Sequence, residues 1–288
     1  MVKAYRDILD QHGLLDKAKG PRPKEAPVGG PSQEHTDEHF AHAFDGSLAR
    51  AQLALLDPKN EVPRASSTLL RFLSGGQVSL ADVPCGAGAG VLSLLTTIAE
   101  LRERGILPRL PLSVHIIGGE ISAPAREYAL KLLESLVDEL AIQAITISYE
   151  LMHWDVLDPM SNASLVERII ISKNSNPQTL LLICNFTGFL ERAGKRDEAQ
   201  KQIEELLKYC SGSTNAAVWI EPKLKATLES LFPWLKKKIK QWKAFVNIYG
   251  NDEEGDQTSE ANFSIPLCLP ETAMVRLCVL PLNLTKAI

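Results

Sequence analysis

The chain has 288 residues, 45% of them hydrophobic, enough to bury a sizeable core and to exclude the disordered and fibrous classes. A formal net charge of -4 gives no global field of the kind nucleic-acid binders use, and no apolar run approaches the ~20 residues that span a bilayer. With a charged, helical amino terminus and no C-x-x-C pair among its cysteines, it reads as a cytoplasmic protein with reduced core thiols and no membrane partner.

A short helical pattern over 5–10 is followed by a Pro/Gly-rich stretch within 19–33, whose composition cannot support a packed element and reads as a linker or mobile loop. Helical periodicity resumes over 34–56 and again over 66–73. Residues 1–77 are therefore expected as a helical extension, a cover for whatever cleft follows and a candidate surface for a protein partner. His35, Glu38, His39 and His42 lie near one face of the 34–56 helix. Histidines four apart can ligate a metal ion, but no further Cys or His cluster completes the set, so a polar helix face is preferred and no metal is expected.

The α/β domain is expected over 78–288. Its most informative stretch is Asp82-Val83-Pro84-Cys85-Gly86-Ala87-Gly88-Ala89-Gly90, an acid and alternating glycines between an apolar strand and a helix over 91–104. Glycines there allow a sharp turn and bare backbone against a ligand, while the helix start offers free N–H groups. A second strand over 113–119 ends at Glu120-Ile121, ahead of a helix over 124–140. Glu120 is placed either to accept from both hydroxyls of a ribose or, more plainly, to cap the helix that follows.

Strand three over 144–151 runs into Met152-His153-Trp154-Asp155-Val156, and strand four over 179–184 into Asn185-Phe186-Thr187-Gly188. A charged helix over 192–209, strand five over 216–222 and a helix over 225–240 follow. The Lys-rich end of that helix with Trp234 or Trp242 is either a phosphate grip with a base-stacking ring or a solvated face whose aromatics enter the core, the latter preferred. Residues 251–260 read as an acidic surface loop, and 261–269 with 273–282 as a closing antiparallel pair.

Taken in order, these pieces resemble the class I S-adenosylmethionine-dependent methyltransferases over roughly residues 78–287. Asp82, Gly86 and Gly88 fall in register with the family's first motif, Pro84 replacing its first glycine. Glu120 matches its ribose-binding acid, the long interval before it being taken up by a loop over 104–111. The resemblance implies a Rossmann-like, mostly parallel seven-stranded sheet in the order three, two, one, four, five, seven, six, with helices on both faces. It also implies S-adenosylmethionine as cofactor, with Asp82, Cys85, Gly86, Ala87 and Gly88 at its methionine end, Glu120 and Ile121 at the ribose, and Asp155 and Val156 at the adenine. Asn185 lies where the family faces methionine and the methyl acceptor, and its carbonyl is a candidate to orient an acceptor amine. His153 is a candidate base. The acceptor, whether protein, RNA or small molecule, is not specified. A methyltransferase-like binding module without turnover, or a pocket for another adenine nucleoside, are the alternative readings.

Overall fold

The structure is a computed structural model and describes residues 1–23, 27, 29–173, 175–176, 178–192, 194–224, 227–241 and 257–284. Ahead of the sheet come α1 (Val2–Gln11), α2 (Leu15–Lys19), α3 (Gln33–His42), α4 (Phe44–Leu56) and α5 (Pro63–Leu73). The alternating part runs β1 (Gly76–Asp82), α6 (Ala89–Glu103), β2 (Leu112–Glu120), α7 (Ala123–Ile142), β3 (Ile145–His153), α8 (Pro159–Lys173) and β4 (Gln178–Cys184). It continues with α9 (Thr187–Arg192), α10 (Arg196–Cys210), β5 (Ala216–Pro222), a π-helical turn (Thr227–Leu231), α11 (Phe232–Gln241), β6 (Gln257–Ser264) and β7 (Thr272–Asn283).

One seven-stranded sheet carries the order β3-β2-β1-β4-β5-β7-β6, the order implied by the resemblance. β1 to β5 are parallel, and β7 runs antiparallel between β5 and β6. Period-two alternation explains why such apolar strands are needed: Leu180 and Leu182 of β4 enter one hydrophobic cluster, while Leu181 and Ile183 enter the other. Helices α1–α7 contribute to the first cluster and α8, α10 and α11 to the second.

Several expected boundaries move. The helix expected over 34–56 is two, broken at Ala43, where the phenol of Tyr5 reaches across from α1 and donates to the Phe40 and Ala41 carbonyls at 2.8 and 3.4 Å. A helix that no expectation covered, α8, joins β3 to β4. β6 starts earlier than expected and ends at Ser264, because Pro266 and Pro270 cannot donate to a ladder and residues 265–271 close a turn through Ile265 N to Glu271 O. The end of the expected acidic loop is thus strand: Glu260 pairs in register with Arg276, whose Nε donates to its carboxylate at 3.1 Å. Residues 251–256 of that loop, and Trp242 and Lys243 of the lysine-rich segment, lie outside the described residues. Trp234 packs against the second cluster with the Arg196 guanidinium over its ring, on the side of the preferred core reading.

Residues 1–77 do not stand apart. Tyr5, Ile8 and Leu9 of α1 are buried in the cluster that also holds Val78 and Leu180 of the sheet, and α4 and α5 pack on β5 and β7. Tyr5 stacks with Phe40 and Phe44 at centroid distances of 5.1 and 5.0 Å. Tyr5→Ala removes this buried ring and should cost about 3–5 kcal/mol in urea denaturation. A loss below about 1 kcal/mol would mean that α1 is not part of the folded unit.

Candidate functional site

The strand order reverses between β1 and β4, so their connections leave in opposite directions and open a crevice at the carboxyl ends of the strands. A cavity of about 260 Å³ occupies it. Its floor is the β1–α6 turn, from Pro84 through Ala87 with Ala89 and Gly90. Glu120, Ile121 and Ser122 after β2 form one wall, Trp154, Asp155 and Val156 after β3 extend it, and Cys184, Asn185, Phe186 and Phe189 close the β4 side.

The turn is built by its glycines in different ways. Gly86 has φ 53, and a Cβ there would meet no protein atom within 4 Å, so bare backbone borders the cavity. Gly88, expected beside it, does not line the cavity. It starts α6 with φ 82, and a Cβ would meet the Leu92 side chain at 3.0 Å. Gly90, quoted with the motif but not assigned a role, does line it, where a Cβ would press on Leu182 and Cys184 at 3.0 and 3.1 Å.

Glu120 is buried, and it does not cap α7; Ser122 does, its Oγ accepting from Ala125 N at 3.2 Å. Instead its carboxylate accepts from Gly86 N at 3.0 Å and Ser122 N at 2.9 Å, tying the end of β2 to the glycine turn. Burial raises its pKa, against the lowering effect of those backbone donors. Asp82 sits deeper, below the turn and outside the cavity lining. Its Oδ2 accepts a long bond from Val91 N at 3.4 Å and its Oδ1 has no partner, so burial pushes its pKa up to about 7, with the Glu120 charge adding to the rise.

After β3, Asp155 Oδ1 accepts from Leu157 N at 2.9 Å, while its own N–H goes to Ser161 Oγ at 2.9 Å. The main-chain N–H groups of Ala87 and Val156, both in the cavity wall, donate to no described residue. Buried N–H groups are nearly always paired, so two in one wall mark a place for a ligand acceptor or water. Val156 and Trp154 are buried, and the Trp154 ring lies 5.7 Å from that of Phe186, giving the wall an apolar, aromatic face. Cys85 borders the cavity as a thiol whose pKa burial pushes well above the usual range. His153, by contrast, is exposed at the end of β3 and absent from the lining: strand alternation turns it away from its neighbour Trp154.

The roof comes from the amino-terminal extension that was expected as a cover, but the sequence missed which residues form it. Gly29, Gly30, Pro31, Thr36, His39, Phe40, Phe44 and Ser47 cover the cavity from the amino-terminal segment. The described part of the supposed linker is pinned: Arg22 pairs with the buried Asp45, and Gly30 O accepts from Thr36 Oγ1, which also meets Ser122 Oγ at 2.7 Å across the crevice. The histidine face divides among separate partners, His35 with Ser32, His42 with Glu38, and His39 in the roof.

Arg50 of α4 was missed as well. Its Nε donates to Asn185 Oδ1 at 3.0 Å and its Nη2 to Ser47 Oγ at 3.1 Å. Burial lowers its pKa, opposed most by the Glu221 charge. Glu221, at the end of β5, accepts from Phe186 N and Trp219 Nε1, each at 2.7 Å. Only the fold brings these residues together; a charged residue on a helical pattern carries no local sign of such a contact.

No known family profile and no curated protein matches the chain. Among solved structures it is similar to a protein from Methanococcus maripaludis provisionally assigned as an S-adenosyl-L-methionine-dependent methyltransferase, at 13% identity, covering 85% of this chain and 94% of that one with a TM-score of 0.31. A similarity at that level carries no argument about function. No helix among the described residues is long and apolar enough to cross a membrane.

The buried acid gives a pH test. Between its unfolded pKa of 3.8 and the folded value of about 7, Asp82 holds a proton in the folded state that the unfolded chain has released. Its contribution is therefore fully favourable below pH ~4 and declines as pH rises towards 7, by up to about 1.4 kcal/mol per pH unit. Asp82→Asn lacks this loss. Urea denaturation at pH 5, 6 and 7 should show the variant gaining on the parent protein at each step; a constant difference would mean that Asp82 titrates normally.

Proposed function

We propose that this chain is an S-adenosylmethionine-dependent methyltransferase. The observation that carries the reading is the convergence of the Gly86 turn, the Glu120 carboxylate and the Asp155–Val156 segment on one cavity at the switch between β1 and β4, with the Ala87 and Val156 N–H groups in its wall donating to no described residue. The reading also draws on the motif order of the sequence.

The residues present suit a nucleoside with an amino-acid tail. Bare main chain at Gly86 and Ala87 admits the tail closely, and the Ala87 N–H can donate to its carboxylate. Glu120 is held by two backbone donors, yet each oxygen keeps a further lone pair for a ribose hydroxyl. Asp155 Oδ2 and the Val156 N–H offer one acceptor and one donor for the edge of an adenine, between the apolar faces of Trp154 and Ile121. When bound, the cofactor supplies an already electrophilic methyl group. The chain's own part is then alignment and exclusion of water, which the aromatic roof of Phe40 and Phe44 serves.

In a thermal-unfolding series against S-adenosylhomocysteine, NAD and ATP, S-adenosylhomocysteine at a hundred times its Kd should add about 2.7 kcal/mol of stability. A response to NAD with none to S-adenosylhomocysteine overturns the assignment. Glu120→Gln, which leaves one acceptor oxygen where the carboxylate has two, should weaken S-adenosylhomocysteine binding by about 1.5–3 kcal/mol in calorimetry. Unchanged affinity would leave Glu120 with only its structural hydrogen bonds.

A further inference from the structure

The polar end of the cavity on the β4 side is set by a contact between Arg50 and Asn185. A guanidinium carries donors only, so the Asn185 atom 3.0 Å from Arg50 Nε has to be the carbonyl oxygen. That orients the whole amide. Its Nδ2 group is left as a donor that no described residue accepts, and the backbone beneath is fixed by Asn185 N to Ile220 O at 3.0 Å and a left-handed φ of 57. The carbonyl that the sequence reading gave to an acceptor amine thus already receives one hydrogen bond from Arg50, which leaves Nδ2 as the amide's fully unused group among the described residues.

The charge behind Asn185 points the same way. No ion pair among the described residues includes Arg50. Of the acids whose charges act on it, Glu221 acts most while accepting from the Phe186 and Trp219 N–H groups, and Asp45 is paired with Arg22. An amine brought here would set its N–H groups against an amide NH₂ backed by a guanidinium. An anionic oxygen would instead receive a hydrogen bond from Nδ2 in the field of that cation.

Resting on the methyl-transfer reading above, we propose that the acceptor is a carboxylate oxygen, received by Asn185 Nδ2 with Arg50 as the positioning residue, on a molecule whose apolar or aromatic body lies against Phe44, Phe186 and Phe189. A carboxylate is already ionised at neutral pH, so no base is required. One oxygen lone pair forms the new C–O bond while the methyl–sulfur bond breaks, its electron pair stays on sulfur, and the product is a methyl ester. No proton moves, which suits a cavity that leaves His153 outside.

The test uses the full chain with selectively ¹⁵N-labelled asparagine, the Asn185 side-chain resonances being assigned by their loss in Asn185→Asp. With and without S-adenosylhomocysteine, benzoate and benzylamine are titrated in parallel. Benzoate should shift the Asn185 NH₂ signals and bind at least about tenfold tighter than benzylamine, the span expected of one charge-assisted hydrogen bond. Arg50→Gln, checked for folding by its melting curve, should bring that ratio to within about threefold. If S-adenosylhomocysteine fails to bind while benzoate still shifts Asn185, the cofactor reading falls and the carboxylate site stands. Preference for benzylamine, or no shift with either, overturns the proposal, as does methyl label transferred in a cell extract that withstands alkali; label released by alkali as volatile methanol supports it.

Discussion

A buried carboxylate shared between two strand ends holds the crevice together. Glu120 leaves β2 and accepts from the Gly86 N–H of the turn after β1 and from the Ser122 N–H that opens α7. Each donor would otherwise be an unpaired group in a poorly solvated place, and each bond fixes one segment relative to the other. The turn therefore keeps its left-handed glycine and its bare backbone, α7 starts where Ser122 can cap it, and the adjoining walls of the cavity keep a set separation. The raised pKa of Glu120 reflects the desolvation that this position imposes.

The roof depends on a different balance. Phe40, Phe44 and Tyr128 form a stack of rings at centroid distances of 4.6 and 4.8 Å, and Tyr5 from the first helix completes it. Such a cluster is favourable only when covered on all sides, so the amino-terminal helices are bound to the sheet domain by the same apolar surface that closes the cavity. Polar contacts then select the register: Lys17 on Glu38 at 2.6 Å, Tyr128 on Asp37 at 2.6 Å, and Thr36 facing Ser122. Cover and core are one packing problem.

On the β4 side the structure again uses charged and polar groups. Arg50 reaches Asn185 over a separation of 135 positions, and Glu221 gathers the N–H groups at the ends of β4 and β5. Buried polar groups arranged so that each donor faces an acceptor fix side-chain orientation more tightly than apolar contact does. The Arg50 contact thereby fixes the orientation of the Asn185 amide at that end of the cavity.

What the sequence by itself determined is whatever depends on local pattern. Apolar runs bounded by turn residues located the five parallel strands, the last strand β7 and the glycine turn, because a buried strand has to be largely apolar and a tight turn favours glycine. That Glu120, Asp155, Val156 and Asn185 would gather at one cavity was legible because parallel strands deliver their carboxyl ends to one edge. Tertiary structure decided the rest. Whether Gly88 faces the cavity or Leu92, whether His153 or Trp154 turns inward, and which end of the Asn185 amide is free follow from packing and from partners far away in the chain. So does the placement of the described residues within 19–33, whose Pro/Gly-rich composition reads locally as a linker. The break at Ala43 has the same origin, since it lies where Tyr5 meets the Phe40 carbonyl, and no local propensity encodes a hydrogen bond between positions 35 apart.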